Sequence, residues 1–310
     1  MKDQRNPRAQ ELKVAYIGGG SRGWAWGFMM DLAMDGDMCG TVRLYDIDRP
    51  AAERNQVIGS RISAHPDAVS RWEYTVCDSL REALTGADFV VISILPGSFD
   101  EMESDVHLPE RLGIYQSVGD TAGPGGILRA LRTVPIYVDF ARAIEKHCPE
   151  AWVINYTNPM ALCVRTLYEV FPKIKAFGCC HEVFNAEDFL CCVVKEQLGV
   201  ERPNRHELVI DASGINHFTW ITEARWQDVD VLSLLPGFIE KYYEKVIAKS
   251  PASLRMLSVR IRFSTATRSK WIFSFIMGCW ERPVTGIWWN LCRKAAICGV
   301  RMLRKTGCII

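Results

Sequence analysis

The chain has 310 residues, of which 48% are hydrophobic and 24% charged, and its formal net charge is +1. This length allows one large domain or two ordinary ones, and the near-neutral charge argues against a nucleic-acid or membrane partner. The twelve cysteines occur in a chain whose polar start lacks a signal-peptide pattern, so we expect reduced thiols in a cytoplasmic protein.

Short apolar segments alternate with amphipathic ones over the first part of the chain. The predicted strands cover residues 13–17, 41–45, 88–95, 151–155 and 175–178. The predicted helices cover residues 24–34, 50–63, 127–146 and 160–170. Alternation of this kind is typical of a doubly wound parallel sheet, so we predict an α/β domain over residues 1–200.

The pattern changes after residue 200. Predicted strands over 207–212 and 217–222 and a predicted helix over 232–248 indicate an α+β region that occupies residues 201–250. Residues 251–310 differ again, because they contain one acidic residue, Glu281, among eleven basic ones. We therefore treat them as a separate basic tail.

A glycine-rich turn follows the first predicted strand. Gly18, Gly20 and Gly23 fit the pattern G-x-G-x-x-G, Ser21 lies within it, and Asp46 ends the next strand. The glycines let a pyrophosphate approach the backbone and the helix pack close to the strand. The acidic residue can accept hydrogen bonds from ribose hydroxyls, which favours NAD over NADP. The pattern predicts an NAD-binding Rossmann domain of the kind that lactate and malate dehydrogenases contain.

A second loop of this domain, residues 93–97, follows the predicted strand 88–95 and contains Pro96. Ligands of doubly wound sheets bind at the carboxyl ends of the strands, so Pro96 is expected to lie beneath the nicotinamide half of NAD. An ordinary turn built on Pro96 and Gly97 explains the same residues equally well.

Residues of the types that bind metals follow later strands. Cys180 and His181 follow the strand 175–178, and His217 lies in the α+β region. Their spacing matches no closed zinc motif, which suggests an open site with room for substrate. On chemistry alone, a buried free cysteine and a structural histidine remain the simpler interpretation.

Seven motifs together resemble glycoside hydrolase family 4, and in particular its α-galacturonidase-like branch. They are KVAYIGGGS, LYDID, SILPG, GDTAGPGG, NYTNPM, CCHEV and GINHFTW, and the match runs from about residue 13 to about residue 240. The resemblance implies a redox-neutral hydrolysis that uses NAD and a divalent metal, usually Mn²⁺. In this mechanism C3 of the sugar gives hydride to NAD, loss of the C2 proton eliminates the aglycone, water adds at C1, and the hydride returns.

The resemblance also implies roles for single residues. Cys180 and His217 would be the metal ligands, His181 would assist the leaving group as general acid, and Asn158 would hydrogen-bond the sugar. Glu182 would be a neighbour of this site and not a catalytic group. The implied substrate is a small glycoside that contains a uronic acid, and an intact relative is expected to be a homo-oligomer.

The resemblance ends near residue 250. We interpret residues 251–310 as the product of a shifted reading frame, assign no catalytic base, and expect the chain as sequenced to be severely impaired. A basic, tryptophan-bearing tail that binds nucleic acid or a membrane surface is the alternative for this segment. For the whole chain, the alternatives are a 2-hydroxyacid dehydrogenase, which shares the Rossmann half, and a non-catalytic fragment that binds NAD.

Overall fold

The computed structural model describes residues 9–114, 118–239, 241 and 273–275. Within these ranges, no helix is both long enough and apolar enough to cross a membrane. The chain divides into two compact units. The first consists of Met1–Met102 and Leu128–Cys179, and the second of Glu103–Ile127 and Cys180–Ile310.

The first unit is built on a parallel six-stranded sheet. Its strands are β1 (Ala9–Ile17), β2 (Met38–Tyr45), β3 (Trp72–Val76), β4 (Phe89–Ile92), β5 (Trp152–Asn155) and β6 (Lys175–Gly178). The strand order is β3-β2-β1-β4-β5-β6, which is the order of the Rossmann fold. The predicted α/β fold with a doubly wound sheet is therefore confirmed, although β3 was not among the predicted strands.

Seven α-helices have their full bounds within the described ranges. They are α1 (Gly23–Met34), α2 (Arg49–Ser63), α3 (Leu80–Leu84), α4 (Phe99–His107), α5 (Gly123–His147), α6 (Met160–Val170) and α7 (Glu182–Leu198). Successive strand residues point to opposite faces, so the sheet has two separate cores. One core packs strand residues such as Tyr16 and Leu44 against α1 and α2, and the other packs residues such as Ile17 and Val153 against α3, α5 and α6.

The second unit contains an antiparallel sheet and α7. Its strands are β7 (Leu208–Ile215), β8 (Phe218–Trp226), β9 (Val229–Asp230) and β10 (Phe273–Phe275), and β8 pairs with all three others. The two strands predicted in this region are confirmed and are longer than predicted. Part of the predicted helix 232–248 is a 3₁₀ helix, Val231–Leu234, residues 235–239 are helical, and most of the remainder lies outside the described residues.

The division between the units falls after Cys179, whereas the sequence analysis placed a boundary after residue 200. The reason is α7, which buries Leu190, Val193 and Val194 in one core with Ile221 and Ala224 of β8. The helix that follows β6 therefore belongs to the second unit. The basic tail, residues 251–310, lies outside the described residues except for β10.

Candidate active site

The glycine-rich turn of the first unit is held by hydrogen bonds to the end of β2. The amides of Gly18 and Gly19 donate to the carbonyl oxygen of Tyr45, at 2.9 and 3.0 Å. Gly18 has a φ of +89°, and a Cβ added there would lie 1.9 Å from the carbonyl oxygen of Ser93. Only glycine fits this position without displacing the backbone at the end of β4.

Asp46 contacts the same turn. Its Oδ2 accepts a hydrogen bond from the amide of Gly20 at 2.8 Å, and its Oδ1 accepts one from the amide of Asp48. The structure thus brings together the two parts of the predicted dinucleotide site, the glycine-rich turn and the acidic residue after β2. The carboxylate is half-buried, and its orientation is fixed by these two backbone donors.

Gly23 differs from the expectation for the third glycine of the motif. A Cβ added to Gly23 would meet nothing within 4 Å, so this residue does not serve close packing of α1 on a strand. The close approach occurs instead at Gly20, where an added Cβ would lie 2.6 Å from that of Ala51. Gly23 begins α1 and is exposed there, which leaves space for a ligand at the helix N-terminus.

Asn55 is a residue of this site that the sequence analysis missed. Its buried side chain donates to the carbonyl oxygens of Gly19 and Ser21, at 2.7 and 2.8 Å, and accepts from Nε1 of Trp26 at 2.8 Å. These three bonds connect α2 with the glycine-rich turn and with α1. No local signal marks this role, because Asn55 lies 34 residues beyond Ser21.

Two further loops of the first unit lie beside the turn. The amide of Ile94 donates to Oγ1 of Thr157 at 2.9 Å, which connects the loop after β4 to the loop after β5. The rings of Trp24 and Tyr156 stack, with centroids 5.1 Å apart, and so connect α1 to the loop after β5. The carboxyl ends of β1, β4 and β5 therefore form one loop cluster, as expected for a doubly wound sheet.

Pro96 and Asn158 belong to these loops. Pro96 is buried in the loop after β4. Asn158 is half-buried, and its Oδ1 is a buried acceptor that no donor among the described residues satisfies. Because buried acceptors are nearly always satisfied, an unsatisfied one suggests a contact made by a ligand or a water molecule.

In the second unit, three side chains that can bind a metal come together. The Sγ of Cys180 lies 3.5 Å from Nε2 of His217, and ligand atoms of Cys180, Glu182 and His217 all lie within 4.8 Å of one another. We call these three residues the ligand cluster. The structure thus joins the two predicted ligands, which are separated by 37 positions in sequence, and adds Glu182 to them.

Local structure explains how the cluster forms. Cys180 lies two residues before Glu182, the first residue of α7, and His217 lies in the two-residue turn between β7 and β8. His217 has a φ of +62°, which is uncommon for a residue other than glycine. Its amide donates to Oε2 of Glu182 at 2.9 Å, so the helix start and the hairpin turn are joined directly.

Burial governs the electrostatics of the cluster. Burial raises the pKa of the Cys180 thiol, and the nearby carboxyl of Glu182 raises it further. Backbone amides at the start of α7 and the side chain of Asn216 act in the opposite direction by donating to the sulfur. Burial also raises the pKa of Glu182, although hydrogen bonds from the His217 amide and from Thr219 lower it. A cation in the cluster would favour the charged forms of both groups.

The donor set fits a divalent cation. One sulfur, one imidazole nitrogen and one carboxylate oxygen are all accepted ligands of first-row divalent metals. Three protein ligands leave coordination positions open, which is typical of a catalytic metal site and not of a structural one. His181, the predicted general acid, is half-buried immediately before α7, between Cys180 and Glu182 in sequence.

Comparisons with known proteins agree on one family. The model of the family 4 glycosyl hydrolases matches residues 13–196. An α-galacturonidase from Thermoanaerobacterium saccharolyticum is 60% identical over 237 residues, which are 76% of this chain and 51% of that protein. The chain spans about half the length of the curated relatives that it matches.

Solved structures give the same result. The Bacillus subtilis protein lplD, named as a glucosidase, is 55% identical, with a TM-score of 0.70 over 76% of this chain and 53% of that one. A 6-phospho-β-glucosidase from Thermotoga maritima, solved with manganese, NAD⁺ and glucose-6-phosphate, is 23% identical, with a TM-score of 0.58. The match covers 78% of this chain and 53% of the Thermotoga maritima enzyme, and it shows that the two folds are similar.

Proposed function

The chain belongs to glycosyl hydrolase family 4, and on that basis we propose that it carries the NAD- and metal-binding parts of a glycosidase that acts on α-galacturonides. The observation that carries this proposal is the 60% identity with an α-galacturonidase over 237 residues. The substrate is accordingly a small glycoside that contains a uronic acid. The described cysteines are all free thiols, which supports a reducing compartment such as the cytoplasm.

The glycine-rich turn is suited to NAD. The exposed start of α1 at Gly23 offers backbone amides and the positive end of the helix dipole to a pyrophosphate. Asp46 is placed by the Gly20 amide at the end of β2, where an acidic side chain can accept from ribose hydroxyls. Gly18, Ser21 and Pro96 complete the proposed cofactor contacts.

The ligand cluster is suited to a divalent metal, for which family membership favours Mn²⁺. When bound, NAD would take a hydride from the sugar and return it, and the metal would polarise sugar hydroxyls as a Lewis acid. Cys180 and His217 bind the metal in this proposal. Glu182 fixes the turn that carries His217 by accepting its amide proton, and its second oxygen is available as a further ligand.

Two other residues act on the sugar in this proposal. His181 donates a proton to the oxygen of the leaving group, a role suited to imidazole because its ordinary pKa lies near neutral pH. Asn158 uses its unsatisfied Oδ1 to accept a hydrogen bond from a sugar hydroxyl. The catalytic base stays unassigned.

A 2-hydroxyacid dehydrogenase is the competing function, because it would use the same Rossmann unit. The proximity of the Cys180 sulfur and the His217 nitrogen favours the glycosidase, since hydride transfer from a hydroxy acid to NAD has no need of a thiolate ligand. A non-catalytic NAD-binding chain is the other alternative. It would require the glycine-rich turn but would not require the ligand cluster.

The proposal is tested with the purified chain in three measurements. Calorimetry measures NAD binding. Titration with Co²⁺ measures metal binding through the charge-transfer absorption band of a cobalt–thiolate bond. The Cys180→Ser variant should lose this band, whereas Cys192→Ser, which changes a half-buried thiol within α7, should keep it. Release of galacturonate from an α-galacturonide is measured with NAD and Mn²⁺ present, and again with each of them omitted.

The outcomes separate the candidate functions. Hydrolysis that requires both NAD and Mn²⁺ would support the proposal, and net formation of NADH from a 2-hydroxy acid would assign the chain to the dehydrogenases. A band that persists in Cys180→Ser would remove this residue from the metal site. Hydrolysis at the rate of a full-length relative would contradict the interpretation of residues 251–310 as the product of a shifted reading frame.

A further inference from the structure

The backbone pairing of β4 with β5 ends where their loops begin. Ile92 and Asn155 are the last paired residues of the two strands, and the amide of Tyr156 donates to the carbonyl oxygen of Ile92 at 2.8 Å. Beyond this point a side chain continues the connection. The Thr157 hydroxyl accepts from the amide of Ile94 at 2.9 Å and donates to the carbonyl oxygen of Ile94 at 3.3 Å. One side chain therefore binds both polar groups of the Ile94 backbone.

Thr157 is itself held by the buried side chain of Asn155. The Nδ2 of Asn155 donates to the carbonyl oxygen of Thr157 at 2.9 Å, and its Oδ1 accepts from the amide of Thr157 at 3.2 Å. Tyr137 of α5 donates its hydroxyl proton to the same Oδ1. Asn155 and Tyr137 are fully buried, and Thr157 is 3% exposed. We call these three residues the Thr157 network.

The polarity of the Thr157 network points to a role in positioning. Replacing both partners of a buried hydrogen bond by apolar groups of the same shape can be nearly neutral for the stability of a fold. A buried network whose members are all satisfied instead fixes the positions of the groups that it joins. Burial raises the pKa of the Tyr137 hydroxyl well above its ordinary value, so this hydroxyl stays protonated and keeps its role as a donor.

The two loops that the network joins lie on one side of the proposed cofactor site. A dinucleotide binds across a Rossmann sheet, with one mononucleotide on each half of the strands. Asp46 follows β2 and marks the half with β1, β2 and β3 as the adenosine side, so the half with β4, β5 and β6 is the nicotinamide side. Pro96 lies two residues after Ile94, and Asn158 follows Thr157 directly.

We propose that Thr157 is a positioning residue for the nicotinamide half of NAD, because its hydroxyl fixes the loop after β4 against the loop after β5 before the cofactor binds. Asn155 and Tyr137 act through Thr157 by holding its backbone. A loop that is already ordered spares the cofactor the entropic cost of ordering it. This cost for the backbone of one residue corresponds to about tenfold in affinity. The inference rests on the proposed NAD site and deepens it.

The test compares the binding of NAD with that of ADP-ribose, which lacks the nicotinamide ring. Calorimetry on the full chain measures both affinities, and we expect the parent to bind NAD more tightly than ADP-ribose. Thr157→Val keeps the shape of the side chain and loses the hydroxyl. It should bind NAD about tenfold more weakly and ADP-ribose as the parent does. Thr157→Ser keeps the hydroxyl and should bind NAD as the parent does.

Thr133→Val is the matched control. Thr133 is a fully buried threonine of α5 in the same unit, and its hydroxyl donates within the helix to the carbonyl oxygen of Arg129 at 2.9 Å. This variant should bind both ligands as the parent does. Tyr137→Phe supplies a second measurement if circular dichroism shows that Thr157→Val does not fold. It removes one donor of the network, so it should weaken NAD binding by a smaller factor and leave ADP-ribose binding unchanged.

The outcomes separate this inference from the proposed cofactor site. A parent that binds neither ligand would overturn both. A parent that binds NAD and ADP-ribose equally would overturn the inference alone. Parental NAD affinity in Thr157→Val would do the same, as would parental affinity in Tyr137→Phe where Thr157→Val does not fold. Equal losses of NAD and ADP-ribose binding in Thr157→Val would also overturn it, because the network would then serve the whole unit and not the nicotinamide half.

Discussion

Replacing Gly18 by alanine tests how the glycine-rich turn is built. The added Cβ would lie 1.9 Å from the carbonyl oxygen of Ser93, and the residue would have to keep a φ of +89°. A left-handed conformation costs an L-residue about 1–2 kcal/mol, and forced overpacking costs about 1–3 kcal/mol. We therefore expect Gly18→Ala to lower the free energy of unfolding by about 2–5 kcal/mol.

The matched control is Gly23→Ala in the same motif. An added Cβ at Gly23 meets nothing within 4 Å, and Gly23 is the first residue of α1. Alanine stabilises a helix by up to about 1 kcal/mol relative to glycine, so this variant should be as stable as the parent or slightly more stable. It should nevertheless bind NAD more weakly, because the methyl group occupies the space that we assign to the pyrophosphate.

Urea unfolding followed by circular dichroism gives the stabilities, and calorimetry gives the NAD affinities. For a unit of this size the loss expected for Gly18→Ala corresponds to a Tm about 5–15 °C lower. A Gly18→Ala variant as stable as the parent would refute the argument from close approach. A Gly23→Ala variant with parental NAD affinity would refute the placement of the pyrophosphate at α1.

Three further changes test other parts of the structure. Asn55→Ala leaves two backbone carbonyls of the glycine-rich turn without their donor, and should cost about 2–4 kcal/mol in urea unfolding. Glu182→Gln can still accept from the His217 amide but cannot offer a charged ligand, so we expect at least about tenfold weaker Mn²⁺ binding by calorimetry with parental stability. Burial raises the pKa of the Cys148 thiol from 9.0 to about 11. The resulting stabilisation is complete below pH 9.0 and is lost as the pH rises towards 11. Stability measured across that range should fall less in Cys148→Ala than in the parent, and equal slopes would contradict this assignment.

The sequence was sufficient for the parts of the fold that rest on local pattern. Apolar runs such as residues 88–95 indicate strands that are buried on both faces, as β4 is. β3 was missed because it lies at the edge of the sheet and reads Trp-Glu-Tyr-Thr-Val, a mixed pattern without a continuous apolar run. The grouping of α7 with the second unit was not predictable, because α7 follows β6 without a break and gives no sign in its sequence that it packs on β8.

The candidate site was predictable only in part. Gly18, Gly20 and Asp46 follow from a motif whose parts are near one another in sequence. Cys180 and His217 were chosen from the family resemblance, because their proximity depends on how the β7–β8 hairpin meets α7. Asn55 depends in the same way on α2 reaching the glycine-rich turn, and no pattern within the sequence of either element records that contact.

The hairpin that carries His217 also limits how the sequence of this site can vary in length. Ile215 and Phe218 are a strand pair, so only Asn216 and His217 form the turn between them. An insertion of one residue there would leave the pairing of β7 and β8 intact but would carry the imidazole away from Cys180. Homologous chains should therefore tolerate insertions and deletions after β8, near Gln227, and keep a turn of constant length at His217.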